Sequence, residues 1–158
     1  MTENYWSRTD LAYLAGIIDG EGCFSIYSGG PREFQLRVYV VNTNKDLIDW
    51  LQDTFGGLVY SRNSTKNPHW RTKYEWVLDG KMTEHLIPKV QPYLIIKGDQ
   101  ASLGLRFRKT FKNKKRPRFT KMDDQLLAER LFCYQEMKRL NNPPNNNATP
   151  LALVALAP

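Results

Sequence analysis

The nine residues Leu14-Ala15-Gly16-Ile17-Ile18-Asp19-Gly20-Glu21-Gly22 carry a helix into a strand, and the rest of the 158-residue chain reads outward from them. Upstream, residues 10–19 (DLAYLAGIID) are good helix formers opened by Ser7 or Thr9, either of which can cap a helix N-terminus, and stopped at Gly20 and Gly22. Downstream, apolar side chains fall on every second position over residues 23–27 (Phe24, Ile26) and 34–41 (Phe34, Leu36, Val38, Val40). That is the period of half-buried strands, and Ser28-Gly29-Gly30-Pro31 between them is a turn. Residues 44–55 return to helical spacing with Leu47, Trp50, Leu51 and Phe55, and Gly56-Gly57 ends them. A second strand pair is expected near 58–63 and 71–78 around the polar loop 64–69, with helices over 81–90, 97–111 and 121–140. The expected class is α+β in the order αββαββα. One domain spans residues 1–140, with a flexible Asn/Pro-rich tail at 141–158 that carries no charge.

The helix end has its own chemistry. Ala15 and Gly16 leave a nearly side-chain-free surface on which a second backbone can lie. Asp19, Gly20 and Glu21 bring one or two carboxylates and a carbonyl to the end of the helix, hard oxygen donors suited to Mg²⁺ with water and phosphate in its remaining positions. Two such helices side by side would bring two acidic ends together, an arrangement suited to phosphodiester hydrolysis.

The segment resembles the L-A-G-L-I-D-A-D-G motif of the LAGLIDADG homing endonucleases, and the element order is that family's order. The resemblance covers about residues 10–111. It implies a curved antiparallel sheet forming a DNA-binding saddle with helices on the other face. The implied activity is site-specific, Mg²⁺-dependent hydrolysis of both strands of a long, pseudo-palindromic double-stranded DNA target, with Mn²⁺ able to substitute, leaving a staggered break that promotes intron mobility. By resemblance Glu21 is the metal-binding acid and the Gly20 carbonyl joins it, with Glu here where Asp is more usual. Lys97 follows Gln91-Pro92-Tyr93-Leu94-Ile95-Ile96, a stretch similar to the family's segment before its active-site lysine. Asn42 stands where the family orders water near the metal. Lys97 also reads as a solvated lysine at a helix N-terminus, and Asn42 as a helix cap. One motif per chain implies a homodimer, its contact formed by the motif-helix residues Leu11, Leu14, Ala15, Gly16, Ile18 and Asp19. A non-cleaving nucleic-acid binder on the same scaffold, an RNA maturase acting on host intron RNA or a DNA-binding regulator, is the competing reading.

Charge points the same way. Lys plus Arg outnumber Asp plus Glu by 23 to 16, a net charge of +7 that attracts polyanions. Residues 106–121 hold nine basic side chains and no acidic one, so Lys109, Lys112, Lys114, Lys115 and Arg116, with Arg106, Arg108 and Arg118, are expected to hold phosphates. The outward strand positions Ser25, Tyr27, Glu33, Gln35, Arg37, Tyr39, Tyr60, Arg62, Arg71, Lys73 and Glu75 form either a solvated sheet surface or a set able to read base edges. Cys23 and Cys133 stand far apart, and His69 and His85 are the two histidines, so neither a zinc site nor a His-based nuclease is indicated. No apolar run of about 20 residues and no signal-like N-terminus appear, so the setting expected is intracellular, in an organelle or a prokaryotic cytoplasm, rather than secreted or in a membrane.

Overall fold

A computed structural model describes residues 6–30, 33–63, 69–111 and 123–143. Helix α1 (Arg8–Glu21) opens on Ser7, whose hydroxyl accepts from the Asp10 amide at 3.0 Å while the Asp10 carboxylate accepts from the Ser7 amide at 3.3 Å. This reciprocal cap satisfies two of the otherwise unpaired donors of the first turn. Strands β1 (Gly22–Gly30) and β2 (Glu33–Asn42) follow, then α2 (Lys45–Phe55), capped by Asn44. Strands β3 (Leu58–Arg62) and β4 (Lys73–Asp79) lead to α3 (Gly80–Val90), a 3₁₀ turn at Gln91–Tyr93, α4 (Gly98–Lys109) and α5 (Asp124–Asn141). The αββαββα order holds, with two helices after it.

The strands form one antiparallel sheet in the order β1-β2-β4-β3. Its inner face carries Phe24, Ile26, Phe34, Leu36, Val38, Val40, Trp76 and Leu78, all buried in the same core as Leu14 and Ile18 of α1, Leu51 and Phe55 of α2, Leu86 and Ile87 of α3, and Phe107 of α4. Each such side chain removed from water is worth about 1.5–3 kcal/mol. Phe55 gathers aromatic rings at 5.4 Å (Trp6), 5.6 Å (Trp50) and 6.5 Å (Trp76), and the indole nitrogens of Trp6 and Trp76 donate to the carbonyls of Thr54 and Gly56. Gly57 is required between α2 and β3: its φ is +95°, and a Cβ there would lie 2.6 Å from the Val77 carbonyl oxygen.

Several boundaries differ from expectation: Ser28, Gly29 and Gly30, expected in a turn, are the last residues of β1, and α1 continues through Gly20 to Glu21. Arg71 lies outside β4, which begins at Lys73. Asn141, assigned to the tail, is the last residue of α5, and its side-chain amide donates to the Phe24 carbonyl at 2.8 Å, pinning the helix end onto β1. The rest of the tail from residue 144 lies outside the described residues. No helix among the described residues is long and apolar enough to cross a membrane.

Candidate active site and nucleic-acid interface

Gly22 turns the chain from α1 directly into β1. Its amide bonds back to the Ile17 and Ile18 carbonyls, and a Cβ at this position would stand 2.7 Å from the Ile18 Cα, so only glycine fits. The turn leaves Glu21 exposed at the very end of the helix, and no hydrogen bond or ion pair occupies its carboxylate among the described residues.

Asp19 and Lys97 fasten this end to the segment after the 3₁₀ turn. The Asp19 carboxylate accepts from the amides of Ile95 (2.7 Å), Ile96 (3.2 Å) and Lys97 (3.0 Å). The Lys97 ammonium donates to the carbonyls of Ile18 (2.7 Å), Asp19 (3.1 Å) and Gly22 (2.6 Å). Three acceptors use all three donors of an ammonium, and a cation at a helix C-terminus opposes the negative end of the helix dipole. Lys97 is therefore the cap of α1, a role absent from the sequence reading, and it can polarise a nucleophile only by giving up one of these bonds. The carbonyls it takes skip Gly20. Asp19 is correspondingly a lock that holds the end of α1 to the segment 95–97.

Burial pushes the Asp19 carboxyl up, but the three amide donors and the Lys97 charge outweigh it and hold the group below its ordinary value of 3.8. A lowered folded-state pKa means that the stability contributed is complete above the ordinary carboxyl range and is lost as pH falls through the lowered value. Asp19→Asn is expected to cost about 2 kcal/mol at neutral pH. In urea melts run from neutral to strongly acid pH, the gap between wild type and variant should close only at the acid end. A gap independent of pH would show that the carboxylate charge is not what holds the lock.

Asn42 ends β2 two residues beyond the position paired with Gly22, at the same end of the sheet as Glu21. Its side-chain oxygen accepts from the Asn44 amide at 2.9 Å, forming the turn that precedes α2, while Asn44 is the cap itself. The Asn42 amide nitrogen makes no hydrogen bond among the described residues. As a fit for Mg²⁺, one chain supplies the Glu21 carboxylate and main-chain oxygen. No three His, Cys, Asp or Glu come together among the described residues, so water, phosphate and a second chain would complete such a site.

The expected dimer contact requires correction. Leu11, Leu14, Ala15 and Ile18 are buried in the chain's own core. The outer face of α1 is instead Ala12, Gly16 and Gly20 at every fourth position, flanked by Tyr13, which packs edge-on against Trp50 at 5.0 Å. A Cβ at Gly16 or Gly20 would meet nothing within 4 Å. Of the residues named for this contact, Gly16 alone lies fully on the open face. Beside the Asp19 lock, Ile95 and Ile96 are exposed at 92% and 69%.

Among the described residues, no helix covers the other face of the sheet. Strand register places Ser25 beside Arg37 and Arg37 beside Asp79, Tyr27 beside Gln35, Tyr60 beside Glu75, and Lys73 beside Arg62. Glu33 and Tyr39 share this face, and Cys23, Val41, Leu58, Val77 and Asp79 join it unforeseen. Its strand charges balance: Arg37, Arg62 and Lys73 against Glu33, Glu75 and Asp79. Arg62 pairs with Glu75 at 2.7 Å. A hydrogen bond with Cys23, with burial next and the Cys23 and Glu75 charges adding to it, pushes the Tyr39 hydroxyl up to about 12, so it remains a phenol. A neutral, hydrogen-bonding face suits reading of base edges better than holding phosphates. Arg71, just before β4, and Lys109, at the end of α4, are exposed cations.

The basic run divides. Arg106 pairs with Glu129 at 2.7 Å and Arg108 with Glu84 at 2.5 Å, so these two brace α4 against α5 and α3 and are not free for phosphate. Phe107 is buried and Phe111 stacks under Arg130 at 3.7 Å. Lys112, Lys114, Lys115, Arg116 and Arg118 lie outside the described residues.

The sequence matches no protein-family model. It is similar to the DNA endonuclease I-CvuI of Chlorella vulgaris, 26% identical over 145 residues that cover 86% of each chain. The crystal structure of the homing endonuclease I-CvuI in complex with its target is similar with a TM-score of 0.69 at 23% identity, over 85% of this chain and 83% of that one. The archaeal intron-encoded homing endonuclease I-Vdi141I, complexed with DNA, has a TM-score of 0.67 at 14% identity over 89% of each chain. At these identities the two structures establish a common fold. The motif at the end of α1, the element order around it and a relative of nearly the same extent make the chain similar in sequence to a DNA endonuclease and give it the fold of the LAGLIDADG homing endonucleases.

Proposed function

We propose that this protein is a site-specific, divalent-metal-dependent DNA endonuclease acting as a homodimer, whose staggered cut in a pseudo-palindromic target promotes intron mobility. The carrying observation is the position of Glu21: an uncommitted, exposed carboxylate at the end of a helix whose outer face is open glycine, beside a bare sheet face rich in hydrogen-bonding side chains. Two copies related by a two-fold axis along that glycine face would bring two Glu21 carboxylates together and extend the two sheets into one reading surface. In this reading Glu21 and the Gly20 carbonyl hold Mg²⁺, with Mn²⁺ as a substitute. When bound, the metal activates water and balances charge on the phosphate.

The chain's own residues do the positioning. Asp19 and Lys97 fix the helix end, the Asn42 amide nitrogen holds water at the same end of the sheet, and the strand face, from Ser25 and Tyr27 across to Tyr60, Arg62, Lys73 and Glu75, reads base edges in the major groove. Arg71, Lys109 and the basic residues 112–116 hold phosphates. The single domain of residues 1–140, with Asn141 closing its last helix, works inside an organelle or a prokaryotic cytoplasm. The test is incubation of the full chain with a library of duplexes under Mg²⁺, Mn²⁺ and EDTA. Double-strand cleavage at one selected site with either metal and none in EDTA is expected, while tight selective binding without cleavage under any metal would make the protein a binder on the same scaffold.

A further inference from the structure

Asp79 ends β4 and occupies the N-cap position of α3, where an aspartate ordinarily accepts from the second or third amide of the helix. Its carboxylate makes no such bond. It turns onto the bare sheet face and accepts from Gln35 Nε2 at 2.8 Å, a partner 44 residues away. The other end of that amide, Gln35 Oε1, accepts from Arg37 Nη2 at 3.2 Å, and the guanidinium carbon of Arg37 lies 4.6 Å from the centre of the Tyr27 ring. Arg37 Nε is buried without a hydrogen-bond partner among the described residues, so the direction of the guanidinium is set at its outer edge, by Gln35 and Tyr27.

The carboxylate decides the polarity of this chain of contacts. An ionised Asp accepts and cannot donate, so it selects the nitrogen end of the Gln35 amide and presents the oxygen end to Arg37. Bidentate reading of adenine by glutamine requires its donor and its acceptor to be turned to the base together; here one Nε2 hydrogen is held by Asp79 and Oε1 is shared with Arg37, so the amide is oriented along the sheet face by its neighbours. Arg37 keeps guanidinium donors of the kind that bond guanine O6 and N7.

We infer that Asp79 is a specificity-positioning residue: by orienting the Gln35 amide it commits the Gln35–Arg37 pair to guanine over adenine at one position in each half of the DNA target. The inference rests on the reading of the chain as a DNA-recognising endonuclease with this face in the major groove.

The experiment compares the full-length wild type, Asp79→Ala and Asp79→Asn on a randomised duplex library, sequencing the cleaved and the bound fractions separately, with thermal melts alongside. Asp79→Ala should lose about tenfold of its guanine preference at one position per half-site, with the other positions and the melting midpoint unchanged. Asp79→Asn can still accept from Gln35 through Oδ1 and should retain most of the preference. Equal loss at every position, an unchanged preference, or loss that only tracks a lower melting midpoint would each overturn the inference. If wild type binds selectively and does not cleave, the nuclease reading fails and the bound fraction alone decides the role of Asp79. If wild type selects no sequence in either fraction, both fall.

Discussion

Replacing Glu21 by Gln is expected to lower single-turnover cleavage of both strands by about 10³-fold at saturating Mg²⁺, the scale of losing one preorganised group that balances transition-state charge. The reason lies in what Glu21 does not do. Its side chain is exposed and no hydrogen bond or ion pair holds it among the described residues, so an isosteric amide removes charge without removing packing. DNA affinity in Ca²⁺ and the melting midpoint should therefore stay at wild-type values. The contrast with the neighbouring acid is the control: Asp19 spends its carboxylate on the amides of Ile95, Ile96 and Lys97, and its loss should lower stability and cleavage together. Cleavage at the wild-type rate by Glu21→Gln would remove this residue from the site. A parallel loss of binding and melting would make it structural.

What the sequence made legible follows from periodicity. Alternation over residues 23–27 and 34–41 fixed which strand faces turn inward, because one-residue slips would expose Phe24, Leu36 and Val38 together. The motif placed Glu21 at a helix end because Gly22 is the residue that permits helix to pass into strand. The orientation of α1 was not legible. Its middle, residues 11–18, is free of charge all the way round, so Leu11, Leu14, Ala15 and Ile18 look as suited to an outer contact as Ala12, Gly16 and Gly20, and only the position of the sheet chooses between them. Long-range polar partners were equally hidden. Arg106 and Arg108 look like phosphate ligands until Glu129 and Glu84 fold against them, and nothing near Asp79 in the chain announces Gln35, which reaches it from another strand. Lys97 could be found as a motif residue, but nothing local announces that its three donors close the end of a helix about 75 residues earlier.

The open glycines of α1 give the second large expectation, and it has opposite signs for the two states of the protein. Glycine within a helix costs about 1 kcal/mol relative to alanine, and at Gly16 the chain's own packing gives no return, since a Cβ there touches nothing within 4 Å. In an isolated chain, Gly16→Ala would stabilise. In a dimer whose motif helices cross at this face, the same methyl group meets a backbone, and Gly16→Leu forces the helices apart. Because the core from Leu14 to Phe107 closes within one chain, Gly16→Leu should still fold as a monomer with a cooperative melt. Its micromolar light-scattering mass should halve relative to wild type, and its double-strand cleavage should fall by at least about 100-fold, the loss expected when the paired catalytic groups no longer meet in one geometry. A variant that stays dimeric and active would move the contact between copies away from this face, and one that fails to fold would mean that Gly16 is needed by the single chain. Loss of dimer and cleavage with folding intact separates the two functions that the motif combines, a helix surface bare enough for a second copy and a carboxylate at its end.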